Sequence, residues 1–169
     1  MEVCYSVIGT IHTDLRYREA IPIQGVYSGV EGSIEILPEF REGLKDLEGF
    51  SHLFLIYHFH EAGPPQLSVR PFLDTVERGI FSTRHPDRPN TIGLSIVELV
   101  SVKDLTLRVR GVDILDGTPL LDIKPYVGQF DVRDPVRCGW LDKATRRAAG
   151  TEKFTPAGLD PLARKHTRE

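Results

Sequence analysis

The sequence predicts a mainly β fold: a single small β-barrel with one notable helix and a basic C-terminal extension. Most of the chain consists of short apolar segments, rich in β-branched and aromatic residues, that alternate with Gly and Pro. The pair Asp116-Gly117 is a strong hairpin signal, because both residues tolerate the positive φ of tight turns. At 169 residues and 40% hydrophobic, the chain can build one core. We assign residues 1–132 to the barrel and residues 133–169 to the extension.

The N-terminal third contains two predicted strands and the predicted helix. Residues 3–11 are apolar and β-branched, and residues 33–37 alternate between apolar and polar, so both segments favour strands. A helix is expected to begin at Pro38, because Phe40, Leu44 and Leu47 follow the i, i+4, i+7 spacing of one helical face.

The remaining predicted strands lie further along the chain. Residues 50–60 form a run of large apolar and aromatic side chains, which indicates a central strand buried on both faces. Residues 95–102 and 105–112 form two more strands with a tight turn at Lys103-Asp104, and residues 121–126 form the last. Pro119 and Pro125 confine that last strand to a sheet edge, or lie at its ends. A short helix is expected at residues 144–149.

Composition and charge narrow the class of protein. The net charge of −3 argues against a strongly basic surface over the whole chain, but residues 133–169 carry nine Lys and Arg against five Asp and Glu. This net +4 segment can meet phosphate locally, or it can be a solvated tail. Cys4 and Cys138 are expected to be buried or inert thiols. Because no membrane-spanning or secretory segment is visible, we expect a cytoplasmic protein with no membrane partner.

The segment from Phe81 to Leu94, FSTRHPDRPNTIGL, is predicted to be a ligand-binding loop between two strands. Arg84 and Arg88 lie four residues apart, and prolines at positions 86 and 89 restrict the backbone. A stiff loop loses less entropy when a ligand binds. Arginine offers a planar set of donors for carboxylate or phosphate, which indicates an anionic or zwitterionic ligand. A surface turn whose charges pair with one another is the alternative.

The histidines of the aromatic run raise a competing hypothesis. His52, His58 and His60 share strand parity and so would point to one face. His58 and His60, followed by Glu61, have a spacing found in metal sites, which would make the chain a small metal-dependent barrel enzyme. Hydrogen-bonded histidines on an aromatic-rich strand are the alternative, and no third group of ligands lies at a telling distance. We expect no metal.

Two carboxylates, Asp113 and Asp116, lie close together near the end of the predicted barrel. On an extended chain they fall on opposite faces, so their spacing is not that of a carboxylate dyad. Either can accept a hydrogen bond from a ribose hydroxyl or an amine, while Asp116 also shapes the turn. The sequence contains none of the motifs GxGxxG, GxxxxGK(S/T), GxSxG or HExxH, so no familiar nucleotide or hydrolase site is indicated.

A series of short motifs runs in a fixed order along residues 5–127. The motifs are Ile8-Gly9, Pro22-Ile23-Gln24-Gly25, LEGFSHL at 47–53, Val69-Arg70-Pro71, GIFSTR at 79–84, RPNTIGLS at 88–95, DILDGTP at 113–119 and DIKPY at 122–126. In this order they resemble the TsaA-like β-barrel tRNA methyltransferases, the TrmO family. Thr91 departs from the proline of many members, and some relatives continue into a separate C-terminal domain.

The resemblance implies a β-barrel that binds S-adenosyl-L-methionine, works as a homodimer and methylates a tRNA base. That base would be threonylcarbamoyladenosine, methylated at N6, just 3′ of the anticodon. The cofactor-binding positions that the resemblance implies are Pro22, Ile23, Gln24, His60, Glu61, Arg84, Leu94, Asp113, Ile114, Leu115 and Asp116.

Methylation of this N6 would benefit from a general base, because carbamoylation delocalises its lone pair and makes its N–H more acidic. Asp113, Glu61 and His60 are the candidates, unranked. Arg88 and His85 are expected to face outward, toward the tRNA anticodon loop, whose single-stranded bases can be splayed out and recognised. Two alternatives stay open: a methyltransferase with the same cofactor that acts on another RNA or a small molecule, and a non-catalytic module that binds S-adenosylmethionine or RNA.

Overall fold

Six antiparallel strands close into a barrel in the computed structural model, which describes residues 2–142 apart from 23, 24, 26, 27, 72 and 73. The strands of the described residues are β1 (Gly9–Thr13), β2 (Glu31–Ile36), β3 (His52–His58), β4 (Ser68–Val69), β5 (Arg78–Gly79), β6 (Ile92–Lys103), β7 (Thr106–Arg110) and β8 (Thr118–Pro125). The order around the barrel is β1-β2-β7-β6-β3-β8, while β4 and β5 form a separate two-stranded sheet. The predicted mainly β barrel is therefore confirmed.

The core of the barrel consists of the inward-facing residues of each strand. In β3, Leu53, Leu55 and Tyr57 are buried, whereas the residues between them are only half-buried. The prediction that this segment is buried on both faces is wrong, because a barrel strand has one inward and one outward face. The segment reads as continuously apolar because its outward face carries Phe54 and Ile56.

Strand β6 is the longest and connects the two halves of the barrel. It pairs with β3 along its first half and with β7 along its second, with an irregularity in the pairing to β7 between Leu99 and Ser101. The tight turn predicted at Lys103-Asp104 is confirmed, since Asp104 has a φ of 54°. The strand begins at Ile92, three residues before the predicted start.

Strand β8 shows how proline is tolerated in a closed sheet. Pro119 is its second residue and Pro125 its last, so the prediction that they lie near the strand ends is confirmed. The alternative, an edge strand, is wrong, because β8 pairs with β1 on one side and β3 on the other. Gly117, with a φ of 75°, forms the turn that leads into β8.

The predicted α-helix is instead a pair of 3₁₀ helices. The first spans Pro38–Leu44 and the second Leu47–Gly49, with Asp46 between them in the left-handed region at a φ of 65°. Leu44 and Leu47 are both buried in the core, so the expected apolar face exists. The α-helical assignment is wrong because the chain must reverse at Asp46 to reach β3, and a tighter helix accommodates that short path.

Three further details of the secondary structure differ from the sequence prediction. Strand β1 begins only at Gly9, and Val3, Tyr5 and Val7 are exposed. Ile80–Ser82 is a 3₁₀ turn rather than a strand. A four-residue α-helix, α1 (Gly128–Asp131), follows the barrel and was not predicted.

The remaining predictions concern thiols, the tail and membrane spans. Cys4 and Cys138 are free thiols, but both are exposed rather than buried. The short helix predicted at residues 144–149 lies outside the described residues. No helix in the part of the chain that the structure describes is long and apolar enough to cross a membrane.

Candidate active site at one mouth of the barrel

The predicted site residues lie at one end of the barrel. We call this end the site mouth: it is where β3 ends at His58, β6 begins at Ile92 and β8 begins at Thr118. The antiparallel register brings these strand ends together, with His58 opposite Ile92 and Ile11 opposite Thr118. Three connections between barrel strands, residues 14–30, 59–91 and 111–117, all lie at this end. The fold therefore gathers segments that are distant in sequence at a single mouth.

Asp113 is the central polar group of the site mouth. Its Oδ2 accepts a hydrogen bond from the Gly25 backbone N–H at 2.8 Å, and its Oδ1 accepts one from the Ser95 hydroxyl at 2.6 Å. Ser95 is only 6% exposed on the inward face of β6. The carboxylate thus bridges the connection before β2 and the interior of the barrel.

A second hydroxyl continues this arrangement inward. The Tyr57 hydroxyl lies 3.1 Å from the Ser95 Oγ, and Tyr57 itself is buried. Gly93 is the cross-strand neighbour of Tyr57, and a side chain at that position would collide with the tyrosine ring. The absence of a side chain at Gly93 therefore leaves the space that the Tyr57 ring occupies. We call Tyr57, Ser95 and Asp113 the hydroxyl chain.

Burial raises the pKa of the groups at both ends of the hydroxyl chain. Desolvation raises the pKa of Asp113 above its usual range, while the hydrogen bonds from Ser95 and Gly25 and the positive charge of Arg84 oppose that rise. Desolvation, with the nearby Asp113 charge, also raises the pKa of Tyr57, so its hydroxyl stays protonated. Since Arg84 acts on both groups, its guanidinium belongs to the same electrostatic site.

His60 is connected to the opposite wall of the site mouth. Its Nδ1 lies 3.2 Å from the Thr118 Oγ1, and that hydroxyl donates to the Leu115 carbonyl at 2.8 Å. Because the Thr118 hydroxyl has a single hydrogen, Nδ1 of His60 must be the donor of their shared bond. The Nε2 atom of the neutral ring is then an acceptor, and it lies 4.0 Å from the Glu61 Oε1.

Asp116 makes a separate set of contacts. Its Oδ1 accepts a hydrogen bond from the Thr13 backbone N–H at 3.2 Å and lies 3.3 Å from the His12 Nδ1. The Thr13 bond, followed by His12, lowers the pKa of Asp116. As their spacing indicated, Asp113 and Asp116 engage different partners, and Asp116 anchors the turn before β8.

The Arg84 loop is held rigidly, as its prolines suggested. The Asp87 Oδ1 accepts the Gly63 backbone N–H at 2.6 Å, and the Asp87 carbonyl accepts that of Gln66 at 3.0 Å. Asp87 therefore ties this loop to the connection that follows His60. Within the described chain the bond to Gly63 is one of the shortest that a side chain makes, which makes Asp87 a strong tether.

His85 and Arg88 are turned back onto their own loop. The His85 Nδ1 accepts the Asp87 backbone N–H at 3.2 Å, and the Arg88 guanidinium donates to the Thr83 carbonyl at 3.4 Å. Both residues are half-buried, whereas Arg84 is exposed. The expected outward orientation of His85 and Arg88 is thus only partial, and their role toward RNA stays a prediction.

Leu94 faces away from the hydroxyl chain. It lies on the outer face of β6, next to the inward-facing Ser95, and is 53% exposed. With its neighbours it forms what we call the outer patch: Ile92, Leu94 and Ile96 on β6, and Ile56 and Phe54 opposite them on β3. A contact between Leu94 and a ligand therefore requires a ligand that reaches the outside of the barrel rim.

The other predicted cofactor positions divide into three groups. Pro22 is half-buried at the site mouth, but Ile23 and Gln24 lie outside the described residues. The Ile114 side chain is part of the core, so only its backbone is available to a ligand. Leu115 is half-buried and uses its carbonyl to accept from Thr118.

Two further observations concern a cavity away from the site mouth and the histidines of the aromatic run. A cavity of about 380 Å³ lies at the opposite end of the barrel, against the Pro38–Leu44 helix. The residues that the structure describes include no group of three or more His, Cys, Asp or Glu that could hold a metal ion. His58 and His60 engage different partners, Thr91 and Thr118, so their shared parity does not produce a joint site.

Sequence reasoning missed Tyr57, Ser95 and Thr118. Each is a hydroxyl residue at a buried, inward-facing strand position. Ser95, for example, shares strand parity with Gly93 and Val97, both buried. That signal, a polar side chain at a core position, was available in the sequence and points to hydrogen-bond partners that only the strand register identifies.

The fold and the candidate site together define a class: small closed β-barrels with a cluster of polar groups among the loops of one mouth. Within that class, residues 10–132 match the family described as tRNA-methyltransferase O N-terminal domain, and the chain belongs to this family.

Individual relatives agree with this assignment. A "probable S-adenosyl-L-methionine-binding protein" of Pyrococcus abyssi is 55% identical over 142 residues, which cover 83% of this chain and 77% of that one. A mouse protein named "tRNA (adenine(37)-N6)-methyltransferase" is 43% identical over 94 residues, 54% of this chain and 22% of its own. The crystal structure of TrmO from Pseudomonas aeruginosa superimposes with a TM-score of 0.70 at 39% identity, covering 84% of this chain and 62% of that one.

Proposed function

We propose that this protein uses S-adenosylmethionine to methylate N6 of threonylcarbamoyladenosine, next to the anticodon of tRNA. The observation that carries the proposal is the Asp113 carboxylate, held in a desolvated position at the site mouth within the electrostatic reach of Arg84. Membership of the family and the printed names of the mouse and Pyrococcus relatives support it.

The residues of the site mouth fit the chemistry of the cofactor. The Arg84 guanidinium suits a carboxylate, the carboxylates of Glu61 and Asp113 suit an ammonium group and ribose hydroxyls, and Leu115 offers apolar contact. When bound, S-adenosylmethionine would supply a sulfonium methyl group, whose carbon would form the new bond to the nucleophile while the electron pair of the carbon–sulfur bond left with the sulfur. The contribution of the chain is to hold the reacting groups in line and to exclude water.

Among the three base candidates the structure favours Asp113. Its pKa lies above the usual range of a carboxyl because of burial, which makes the carboxylate a stronger base. The proton of the carbamoylated N6–H goes to the Asp113 carboxylate, and the electron pair of that bond becomes available on nitrogen. His60, with Nε2 as acceptor, is the second candidate.

Features beside the site mouth support an RNA substrate. Phe81 is 79% exposed and lies three residues before the exposed Arg84, a combination suited to stacking on an unpaired base. The Trp140 indole N–H donates to the Ser82 carbonyl at 2.8 Å, which brings the start of the extension beside this loop. We therefore assign residues 133–169, with their net charge of +4, to contacts with tRNA phosphates.

The outer patch supports the proposed homodimer. Its five apolar side chains form a contiguous outward face across β3 and β6, and such a face on a small protein marks an interaction site. A second copy that covered the patch would also place Leu94 in an interface next to the site mouth. The free Cys4 and Cys138 fit the proposed cytoplasmic location, where thiols stay reduced.

The decisive experiment compares methyl transfer to two tRNA preparations, one with the threonylcarbamoyl group and one without it. We expect labelled methyl to enter only the modified tRNA. Equal labelling would contradict the assigned base and favour another RNA substrate, and binding of S-adenosylmethionine without transfer to either would favour the non-catalytic module.

A matched pair of arginine variants tests the cofactor site. Arg84→Ala should abolish the heat of S-adenosylmethionine binding while thermal unfolding stays unchanged. Arg108→Ala, which removes an exposed partner of Glu31 on the barrel wall, is the control and should bind normally. Similar affinities for both variants would contradict the placement of the cofactor carboxylate at Arg84.

The dimer is tested separately by sedimentation. Leu94→Glu on the outer patch should yield monomers, whereas Val3→Glu, at another exposed apolar residue, should leave the dimer intact. A wild-type protein that sediments as a monomer would contradict the homodimer without bearing on methyl transfer.

A further inference from the structure

We propose that Tyr57 and Ser95 are positioning residues, whose hydroxyl groups hold the Asp113 carboxylate in the orientation and ionisation state needed for proton transfer. This proposal rests on the proposed function, because it takes Asp113 as the group that receives the N6 proton. Neither hydroxyl is expected to touch the substrate, since both residues lie inside the barrel wall.

The direction of each hydrogen bond follows from counting hydrogens. An ionised carboxylate only accepts, so the Ser95 hydroxyl donates its single hydrogen to the Asp113 Oδ1 over 2.6 Å. The Ser95 oxygen is then available to accept from the Tyr57 hydroxyl over 3.1 Å. Because burial keeps Tyr57 protonated, its hydroxyl donates to Ser95, and the hydrogen bonds of the hydroxyl chain are all directed toward Asp113.

Polarity inside the barrel is concentrated at this layer. The inward positions below it, Leu53 and Leu55 on β3 and Val97 on β6, are apolar and buried. A serine and a tyrosine hydroxyl at the layer next to the site mouth cost desolvation free energy that alanine and phenylalanine would not. The hydroxyl chain ends on Asp113, a carboxylate whose pKa burial raises above its usual value, so these polar groups act on a titratable site.

The other groups that act on Asp113 are few among the described residues. The Gly25 backbone N–H bonds the second carboxylate oxygen, and the Arg84 charge favours the ionised form. Removing the Ser95 hydroxyl takes away a bond to the ionised form, so the pKa of Asp113 must rise further. Removing the Tyr57 hydroxyl weakens the Ser95 donor only indirectly, so the rise must be smaller.

The test uses two variants, each with a matched control. Ser95→Ala and Tyr57→Phe each remove one hydroxyl from the chain. Ser101→Ala on the exposed half of β6 and Tyr126→Phe, whose ring packs against Phe54 outside the core, remove the same groups elsewhere. Ser95→Thr keeps the hydroxyl and serves as the rescue variant.

The first measurement is the titration of Asp113 in the free protein, followed by carbon-13 NMR of labelled aspartate. We expect a higher titration midpoint in Ser95→Ala, a smaller rise in Tyr57→Phe and wild-type behaviour in both controls. An unchanged midpoint in Ser95→Ala would overturn the proposal. This readout needs no methyl transfer, so it decides the proposal even if the wild-type protein proves inactive and the proposed function fails.

The second measurement is the pH profile of kcat for methyl transfer. The acid limb should move to higher pH in Ser95→Ala, with kcat at neutral pH lowered by about tenfold or more, because a positioned base contributes about 10²–10⁴-fold. The KM for S-adenosylmethionine should change much less, and Ser95→Thr should restore most of kcat. A loss that appears only in KM, or a loss that Ser95→Thr does not relieve, would show that the hydroxyls only support the fold.

Discussion

Glycine 93 provides the most direct test of how the site mouth is packed. In the register of β3 and β6, Gly93 faces Tyr57, and a Cβ added to Gly93 would overlap the tyrosine ring. Tyr57 is only 4% exposed, so its ring has little room to move away. The substitution Gly93→Ala therefore forces either the ring or the β6 backbone to shift.

The expected cost follows from two opposing effects. Overpacking a buried position costs about 1–3 kcal/mol, while replacing a strand glycine by alanine returns about 0.5–1 kcal/mol through the unfolded chain. The net loss should be about 1–2 kcal/mol, which lowers the Tm of a protein of this size by about 2–8 °C. Thermal unfolding followed by circular dichroism measures it, and Gly49→Ala, with no atom within 4 Å of the added Cβ, is the control.

A double-mutant cycle identifies the cause of the loss. In a Tyr57→Leu background the ring is gone, so Gly93→Ala should cost little or nothing there. An equal cost in both backgrounds would refute the collision with the ring, and an unchanged Tm in the single variant would refute the packing argument altogether.

Three further predictions concern polar groups of the site mouth. Asp113→Asn should raise the Tm at neutral pH, because burial raises the pKa of Asp113 and its charged form therefore opposes folding. The gain should fade as the pH falls through the raised pKa and be absent below about 4, where the carboxyl is neutral in both the folded and the unfolded state. Thr118→Val removes the partner of His60 and should cost about 1–3 kcal/mol of stability. Asp87→Ala removes the acceptor of the Gly63 N–H and should weaken S-adenosylmethionine binding severalfold, because the Arg84 loop becomes less ordered before binding.

Each of these predictions has an outcome that contradicts it. A lower Tm for Asp113→Asn at neutral pH would mean that the ionised carboxylate stabilises the fold. Thermal unfolding of Thr118→Val at the wild-type temperature would show that the hydroxyl is dispensable. Calorimetry on Asp87→Ala that returns the wild-type affinity would show that the loop is ordered without its tether.

Turn residues and a buried apolar face could be predicted from the sequence where local chemistry decides them. The turn at Lys103-Asp104 joins the paired strands β6 and β7, as expected, and Asp104 adopts the positive φ of a tight turn. Gly117 also adopts a positive φ, but the hairpin predicted at Asp116-Gly117 is wrong, because β7 and β8 are not neighbours in the barrel. The spacing of Phe40, Leu44 and Leu47 correctly indicated a buried face. It could not distinguish an α-helix from two 3₁₀ turns, because the left-handed residue that separates them, Asp46, is set by the route to the next strand.

The hydroxyl chain could not be predicted because its members meet only through register. Tyr57 and Ser95 are separated by 38 positions in the sequence, and Asp113 follows Ser95 by 18. A shift of one residue in the pairing of β3 and β6 would turn one of the two side chains to the outside. The described positions implied by resemblance to the family lie at or near the site mouth, and their role toward a cofactor stays a prediction; they did not include the residues that hold Asp113.

Closure of the sheet also determines how the barrel unfolds. Each of the six barrel strands has a hydrogen-bonded neighbour on both sides, so no terminal strand can peel away while the rest persists. Amide hydrogens of the barrel should therefore exchange with solvent only through concerted global opening, at one common free energy. The connections at the site mouth are outside that cooperative unit, so their amide hydrogens can exchange by local fluctuation. Slower amide exchange in these connections on addition of a ligand therefore reports binding, without interference from unfolding of the barrel.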